Sequence, residues 1–311
     1  MTIQRRPLRI FLQATPRTRS NLLIQLLSTH PSIAEHQYPF SNAYHFGPER
    51  QFSRDIDVGE TGDMEDFSGE TYKHAFGKFN DLLQKIESEQ KIPLIKEHIF
   101  YMMHAEKTYE CLGQAVSSPR TKPTVDDTPS TNLTFLPDNF LLTFTPVFII
   151  RHPARAFPSS LRAHSRSTGG NVFDTDFPAN ATFKFSRILL DWYTARSPSK
   201  LPVVIDGDKL VDDTKRQMER LCERLGIDEE RIRYNWDSKE DHGYGKVWDA
   251  YYEEIQNSTG VVRTKETMGA PVLEEEMKKW EKEWDEGVAI KLKEFVESAM
   301  DDYEYLLKQS I

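Results

Sequence analysis

One segment of the chain combines two arginines with hydroxyl side chains, a set that could bind an anion. Residues 16–21 have the sequence PRTRSN and stand between a short apolar run and a pattern typical of a helix. A helix N-terminus exposes unpaired N–H groups and the positive end of the helix dipole, so it favours anions. Arg17 and Arg19 would add charge, and Thr18 and Ser20 would add hydroxyl donors. The alternative is a helix capped by Ser20, with both arginines solvated.

A second candidate anion ligand follows the most strand-like run of the chain, residues 146–150. Arg151 would stand at the carboxyl end of that strand, where open α/β sheets bind their ligands. Its guanidinium group could hold a phosphate through two parallel hydrogen bonds. Ser159 comes eight residues later and could donate to the same oxyanion if the segment folds back. The alternative is that Arg151 pairs with an internal carboxylate.

A lysine and a histidine at alternate positions follow another predicted strand and could take part in proton transfer. Side chains two residues apart on a strand point to the same side, so Lys96 and His98 would share one face. A histidine with a pKa of about 6.5 can accept a proton at neutral pH. A lysine beside it could stabilise an oxygen that gains charge in the transition state. The alternative is a surface lysine and a hydrogen-bonded histidine without chemistry.

Two other kinds of site are not indicated by the sequence. The chain has no G-x-x-x-x-G-K segment followed by serine or threonine, so it lacks the lysine and hydroxyl that hold phosphates and magnesium in nucleotide hydrolases. We therefore expect no hydrolysis of ATP or GTP. Four histidines are scattered without a supporting pattern of cysteine or aspartate, and we expect no metal site. They are His30, His36, His45 and His74.

The elements that position these residues alternate between strand and helix. Short apolar runs predict strands over residues 7–14, 91–96, 146–150 and 202–205. Helical spacing of apolar residues predicts a helix from Ser20 to Pro31 and further helices over residues 72–88, 154–163, 180–196 and 214–225, with two more in 273–308. Pro158 is expected only in the first turn of its helix or at a kink.

This alternation predicts an α/β protein in which a parallel sheet carries helices on both faces. We predict one domain over residues 1–311, with a helical C-terminal tail. Segments without a periodic spacing of apolar residues predict loop insertions near 40–70, 113–139 and 164–178.

The composition of the chain bounds its partners and its compartment. Of 311 residues, 38% are hydrophobic and 29% are charged, and the net charge is −9, which describes a soluble globular protein. A nucleic-acid binder would more often be basic, and the longest apolar stretch, residues 140–150, is too short to span a membrane. The two cysteines, Cys111 and Cys222, indicate a reducing compartment, and the N-terminus lacks a secretory signal. We therefore expect a cytoplasmic protein without nucleic-acid or membrane partners; a homo-oligomer stays open.

The three candidate segments resemble, in their order and placement, the motifs of the sulfotransferase family. The family's first motif has proline, a basic residue, serine, glycine, serine or threonine, and threonine, and it is similar to residues 16–21, with Arg19 at the glycine. The family's K-x-H motif is similar to residues 96–98. Its third motif begins R-x-P and has a serine eight residues past the arginine, as do Arg151 and Ser159.

Longer stretches extend this resemblance over much of residues 8–226. Residues 202–226 resemble the family's later strand, acidic turn and amphipathic helix. Residues 15–23 and 136–163 are similar to a fungal branch of sulfotransferase-like proteins, some of which are associated with secondary metabolism.

The resemblance implies a P-loop-like three-layer fold and transfer of a sulfuryl group from 3′-phosphoadenosine 5′-phosphosulfate (PAPS) to a small molecule. His98 would deprotonate the acceptor hydroxyl or amine, and Lys96 would assist the leaving phosphate oxygen. The first motif would hold the 5′-phosphosulfate, the third motif would hold the 3′-phosphate, and no metal would be needed. The residues implied in PAPS binding are Arg17, Thr18, Arg19, Ser20, Asn21, Arg151 and Ser159.

The sequence departs from the family pattern in ways that keep two alternatives open. Arg19 replaces the motif glycine, and Asp206 and Gly207 stand where the family often has tyrosine and glutamate. A C-terminal R-K-G motif is not evident, although Arg263 and Lys265 could play its part. One alternative is an acid–base enzyme, such as a cyclase, isomerase or lyase, that uses no sulfate donor. The other is a nucleotide-binding protein without catalysis.

The acceptor pocket is expected to combine acidic and aromatic segments. It would draw on the acidic 40–70 loop, the 164–178 loop and the aromatic residues Trp248, Tyr251 and Tyr252. Aromatic side chains would favour a flat or apolar small molecule, and the acidic loop would favour a neutral or cationic one. The alternative is that these aromatic residues belong to the core.

Overall fold

A single parallel sheet of five strands forms the centre of the described structure. The computed structural model describes residues 7–52, 66–114, 125–126, 130–197, 201–238, 246–263 and 269–311. Across the sheet the strands follow the order β2-β3-β1-β4-β5, and every neighbouring pair is parallel. The strands are β1 (Ile10–Ala14), β2 (Ile33–Gln37), β3 (Ile92–His98), β4 (Thr145–Ile150) and β5 (Val203–Asp206).

Helices connect the strands, as parallel pairing requires. The last two, α12 and α13, form the helical tail predicted over residues 273–308. In the described ranges the helices are α1 (Ser20–Ser28), α2 (Ser41–His45), α3 (Tyr72–Ser88), α4 (Ala105–Leu112), α5 (Asp138–Leu141), α6 (Pro153–Thr168), α7 (Phe177–Asn180), α8 (Lys184–Arg196), α9 (Gly207–Asp212), α10 (Thr214–Leu225), α11 (Lys246–Gln256), α12 (Leu273–Glu283) and α13 (Glu286–Lys308).

Two apolar cores lie on opposite faces of the sheet. Successive side chains of a strand point to opposite faces, so Phe11 and Phe148 enter one core while Leu12 and Ile149 enter the other. Helices α3, α6, α8 and α13 complete the first core, and α1, α9 and α10 complete the second. Strands buried on both faces are almost continuously apolar. The predicted three-layer, P-loop-like α/β fold is therefore confirmed.

The sequence patterns do not predict β2, so the strand predicted over 202–205 is the fifth strand rather than the fourth. The sequence of β2 is IAEHQ, and only Ile33 in it is buried. β2 is an edge strand that pairs with β3 alone. The edge strand β5 is buried throughout, whereas four of the five residues of β2 are only partly buried or exposed. Incomplete burial of β2 therefore removes the apolar signal.

Helix α6 is longer than the predicted 154–163. Pro153 occupies its first turn, and Pro158 lies inside the helix as its sixth residue. Pro158 is therefore not in the first turn, which was one of its two expected positions; it lacks the N–H that would pair with the carbonyl of Ala154. The helix predicted over 180–196 begins later, as α8, because α7 precedes it. Helices α3 and α10 have the predicted boundaries.

The predicted loop insertions contain some regular structure. Helix α2 lies within 40–70, α5 begins within 113–139, and α6 and α7 occupy both ends of 164–178. Much of the first two insertions lies outside the described residues, namely 53–65, 115–124 and 127–129. Within the described ranges, none of the helices has the length and apolarity needed to cross a membrane.

A glycine lets the start of α9 touch the loop that follows β1. A Cβ atom on Gly207 would lie 2.3 Å from the carbonyl oxygen of Thr18 and 3.2 Å from that of Ile150. Both neighbours are backbone atoms, which cannot turn away as a side chain can. Gly207 therefore allows the ends of β1, β4 and β5 to meet.

Replacing Gly207 with alanine should lower the free energy of unfolding by about 2 kcal/mol or more, because the methyl group overlaps backbone atoms. Urea denaturation measures the change. Gly77→Ala in α3 is the control, since a Cβ atom there meets nothing within 4 Å and should stabilise the helix by up to about 1 kcal/mol. Equal stability of the two variants would contradict the packing role of Gly207.

Candidate active site

The predicted anion loop and the predicted base line one cleft at the carboxyl ends of β1, β3 and β4. The cleft contains about 740 Å³ of empty space, part of it open to solvent. Three of the predicted segments therefore meet at one place. Residues in the wall of the cleft include Pro16, Arg17, Arg19, Ser20, Asn21, Tyr38, His98, Arg151, Tyr251 and Glu254.

The loop after β1 has an unusual backbone that leaves amide groups available. Arg17 and Arg19 have φ angles of 61° and 69°, in the left-handed region that costs a non-glycine residue about 1 kcal/mol. Arg19 thus keeps the conformation that suits the glycine expected at this position. In the described part of the chain, the backbone N–H groups of residues 18–21 donate to no protein acceptor. They remain available for an anion.

The two hydroxyl side chains of this loop differ from their predicted roles. Helix α1 begins at Ser20, so Arg19 is the N-cap residue and no side chain caps the helix. The prediction of Ser20 as the cap is wrong; Ser20 lines the cleft instead. Thr18 is fully buried, and its hydroxyl donates to the carbonyl of Thr15 at 2.7 Å. Thr18 could therefore hold a ligand only through its backbone amide.

Arg17 connects the loop to α6 and α11. Its Nε donates to Oγ of Ser159 at 3.0 Å, and its Nη1 donates to the carbonyl of Tyr251 at 2.9 Å. Nδ2 of Asn21 donates to the same carbonyl at 2.9 Å. Ser159 was expected to act beside Arg151, but the structure places its hydroxyl on Arg17. The sequence could not show this contact, which joins residues far apart in the chain.

Arg151 pairs with an internal carboxylate, the alternative that the sequence left open, and it also lines the cleft. Its Nε donates to Oδ1 of Asp208 at 3.0 Å, and its Nη1 donates to the carbonyl of Arg17 at 3.3 Å. Arg155 contacts the other oxygen of Asp208 at 3.0 Å, and Arg19 lies 3.9 Å from Oδ1. One carboxylate therefore neutralises part of a cluster of three arginines.

His98 ends β3 and is arranged to accept a proton. Its Nδ1 lies 2.9 Å from the carbonyl oxygen of Ala14; because a carbonyl only accepts, Nδ1 carries the hydrogen and Nε2 keeps its lone pair in the neutral ring. Burial, followed by the charge of Lys96, lowers the pKa of His98 to about 3. The imidazole is therefore neutral at pH 7. Its ring packs against Tyr38 and Phe100, with centroids 5.0 and 5.7 Å away.

Lys96 lies on the same strand face as His98 but beneath the surface of the cleft. The side chain is fully buried, and its Nζ donates to Oδ1 of Asn21 and, at 3.1 Å, to Oε1 of Gln37. The ammonium lies 4.5 Å from the ring centroid of Tyr38, within cation–π range. Burial lowers the pKa of Lys96 to about 7. Lys96 therefore acts on the cleft through Asn21, which lines it.

Sequence reasoning missed two residues that surround Lys96 and His98. Tyr38 follows β2, has a φ angle of 57° and donates its N–H to the carbonyl of Lys96 at 2.8 Å; finding it requires β2, which has no apolar signal. Glu97 is fully buried and accepts the N–H groups of Phe40 and His98 at 2.9 and 2.7 Å. Burial raises the pKa of Glu97, and these two bonds oppose the rise.

Two acidic residues near the arginines were also missed. Asp208 stands two residues past the end of β5, and that position at a strand end was a usable signal. Glu254 lies in α11 and forms ion pairs with Arg17 and Arg19 at 3.8 and 3.6 Å. Nothing in the sequence near Glu254 connects it with a loop more than 200 residues earlier.

The expected acceptor residues are only partly described. Tyr251 lines the cleft, and Tyr252 is buried with its hydroxyl 3.4 Å from Oε1 of Gln37. The side chain of Trp248 lies outside the described residues, and so does Lys265. Arg263 donates to the carbonyl of Val211 at 2.8 Å.

The scattered histidines have local surroundings that account for them. Nδ1 of His30 accepts the N–H of Ser32 at 3.1 Å, and burial lowers the pKa of His45 to about 4. Among the residues that the structure describes, no three His, Cys, Asp or Glu side chains are grouped so that they could hold a metal ion.

Comparison with known proteins shows similarity to sulfotransferases. A family model described as the sulfotransferase family matches residues 7–231. The chain is 29% identical to sulfotransferase ppzF of Metarhizium majus, over 97% of the chain and 96% of the relative. It is 28% identical to sulfotransferase ppzF of Metarhizium rileyi, over 97% and 95%. The solved sulfotransferase domain from the curacin biosynthetic pathway shows 14% identity and a TM-score of 0.43, covering 88% of this chain and 97% of that domain.

Replacing His98 with glutamine should reduce the acid sensitivity of the fold. The pKa of His98 is about 3 in the folded protein and about 6.5 in the unfolded chain. Below about pH 6.5 the imidazole of His98 therefore binds a proton in the unfolded chain but stays neutral in the folded protein. The free energy of unfolding of the wild type therefore falls as the pH falls. Urea denaturation at about pH 7 and about pH 4.5 should show a smaller loss for His98→Gln. His74→Gln, at a side chain 56% exposed, should match the wild type; an unchanged loss in His98→Gln would contradict the burial argument.

Proposed function

The chain belongs to the sulfotransferase family, and we propose that it transfers a sulfuryl group from PAPS to a hydroxyl or amine of a small molecule. The observation that carries the proposal is the meeting of Arg17, Arg151 and His98 in the wall of one cleft. A cleft with cations on one side and a neutral imidazole on the other suits transfer from an anionic donor to an acceptor that must lose a proton.

The anion-binding groups fall into two places that fit the two ends of such a donor. The amides of residues 18–21, with Arg17 and Arg19, would hold the 5′-phosphosulfate at the N-terminus of α1. Arg151 would hold the 3′-phosphate, with Asp208 fixing the orientation of its guanidinium. The close approach at Gly207 supports this fit, because it keeps the two places adjacent. Ser159 would contribute by fixing Arg17.

His98 would act as the general base. Its Nε2 would take the proton from the acceptor as the acceptor oxygen or nitrogen bonds to sulfur, while the sulfur–oxygen bond to the phosphate breaks and the electron pair leaves with the phosphate. A pKa of about 3 makes the free imidazole a weak base. Negative charge bound in the cleft raises the pKa of a nearby imidazole, so anion binding would strengthen the base when it is needed.

Lys96 would support the leaving phosphate oxygen. Its ammonium is held beneath the loop by Asn21 and Gln37, and a buried charge acts more strongly over a given distance than a solvated one. Since Asn21 lies between Lys96 and the cleft, the lysine would also fix the orientation of that amide. Both effects place positive potential where charge develops in the transition state.

The acceptor would bind beside His98 against aromatic rings. Tyr38 and Tyr251 line the cleft, and Tyr101 lies 5.3 Å from the imidazole between ring centroids. Rings of this kind favour a flat or apolar molecule, such as a secondary metabolite.

Cys111 and Cys222 are both free thiols, which suits a protein of the cytoplasm.

The alternative function is acid–base catalysis without a sulfate donor. The observation that favours it is the occupation of the arginines by protein carboxylates, Asp208 and Glu254, in the positions where donor phosphates would bind. His98 and Lys96 could then serve a cyclisation, isomerisation or elimination. Binding of a bisphosphate nucleotide separates the two functions.

Adenosine 3′,5′-bisphosphate should bind and raise the melting temperature of the wild-type protein. Arg151→Gln should weaken this nucleotide at least about tenfold more than it weakens adenosine 5′-phosphate, because only the former has a 3′-phosphate to lose a charge-assisted contact. Calorimetric titration measures both affinities. Arg162→Gln is the control, since it removes the same charge from α6, where Arg162 pairs with Glu283 at 2.6 Å. No shift with the wild type at millimolar nucleotide would contradict PAPS use and favour the alternative.

His98→Ala should lower kcat at least about a hundredfold, since general bases contribute at this level, while the affinity for adenosine 3′,5′-bisphosphate stays within about twofold. The assay follows release of this nucleotide from PAPS with a panel of phenols, alcohols and amines. His74→Ala should retain wild-type turnover. If His98→Ala also retained it, another group would have to be the base.

A further inference from the structure

The four arginines at the cleft have two different carboxylate partners. Arg151 and Arg155 each contact Asp208 at 3.0 Å, and the side chains of all three are only 10–13% exposed. Arg17 and Arg19 lie 3.8 and 3.6 Å from Glu254, whose side chain is 64% exposed. The contacts of Asp208 with Arg151 and Arg155 are short and shielded from water, whereas those of Glu254 are longer and end on an exposed carboxylate. Arg19 also lies 3.9 Å from Asp208. Long, exposed ion pairs contribute little to stability, so Glu254 can leave its partners easily.

Glu254 also stands inside the cleft. Its side chain lines the same cavity as the guanidinium groups it contacts and as His98. A carboxylate and a phosphate or sulfate group make equivalent contacts with arginine. An oxyanion that binds Arg17 and Arg19 would therefore compete with the carboxylate of Glu254 for the same guanidinium groups.

The helix that carries Glu254 is held independently of this carboxylate. The carbonyl of Tyr251 accepts hydrogen bonds from Arg17 and Asn21, both at 2.9 Å. One turn of α11 is thus fixed to the loop by its backbone. The neighbouring Glu253 points elsewhere and pairs with Arg166 at 2.8 Å. Release of the Glu254 side chain therefore requires no movement of α11.

We propose that Glu254 is a built-in competitor of anion binding: its carboxylate occupies the oxyanion position at Arg17 and Arg19 and must be displaced by an incoming ligand. Displacement lowers the affinity for every anion at this position by a similar factor, so a weakly held anion leaves the cleft empty at a concentration at which a ligand with several phosphate contacts still binds. The inference rests on the proposed function, because it assumes that the ligand places an oxyanion at these two arginines. Its consequence is that every anion needs a higher concentration to fill the cleft, while the arginine contacts stay available to the ligand that displaces Glu254.

Glu254→Gln should bind both adenosine 3′,5′-bisphosphate and inorganic pyrophosphate about three- to tenfold more tightly than the wild type, the range expected when exposed ion pairs no longer compete. Calorimetric titration of the full chain measures all affinities. Glu253→Gln is the matched control, because it removes the same charge from the next residue of α11, and it should bind like the wild type. Glu254→Ala provides a second test of the same prediction if the glutamine side chain itself contacts the ligand.

The outcomes separate this inference from the proposed function. If the nucleotide binds the wild type but neither Glu254 variant binds more tightly, the inference is overturned and the proposed function stands. If only pyrophosphate binds, and the Glu254 variants bind it more tightly than Glu253→Gln does, the inference stands without the nucleotide. Equal gains in the Glu253 and Glu254 variants would show a general charge effect and overturn it. Absence of binding by either anion in every variant overturns both.

Discussion

Repulsion between arginines is the constraint that shapes this end of the sheet. Four guanidinium groups meet where parallel strands end, and like charges at short range in a poorly hydrated place are unfavourable unless anions lie between them. Asp208 on α9 pairs with Arg151 and Arg155, and Gly207 lets α9 approach closely enough for these contacts. Glu254 on α11 forms longer ion pairs with Arg17 and Arg19. The arrangement keeps the arginines oriented and leaves the cleft cationic enough for a ligand.

Burial gives the neighbouring groups their chemical character. Burial lowers the pKa of both His98 and Lys96, because each charged form gives up water in the interior, so both side chains release a proton more readily than they would in solvent. Their hydrogen bonds to Ala14 and Asn21 then decide which atoms face the cleft. The same two side chains in solvent would be an ordinary histidine and lysine. Reactivity at this site therefore depends on the layers that cover β3.

The fold could be predicted where burial leaves a periodic pattern. Strands β1, β4 and β5 are enclosed on both faces, and helices α3 and α10 carry regular apolar stripes, so their sequences identify them. The edge strand β2 has no such pattern and was missed, and with it Tyr38. The contact of Ser159 with Arg17 was not predicted, because the spacing along a helix does not say which distant side chain that helix faces.

The sequence by itself determined the alternation of strand and helix and the placement of Arg17, His98 and Arg151 at three strand ends. These follow from local periodicity and from residue order, which do not depend on how the elements pack. Only the tertiary structure decided the partners of those residues: Glu254 reaches Arg17, Asp208 reaches Arg151 and the carbonyl of Ala14 reaches His98, each from an element far away in the chain. Charge pairing and desolvation act through space, so the side chains that govern this site cannot be found from sequence distance.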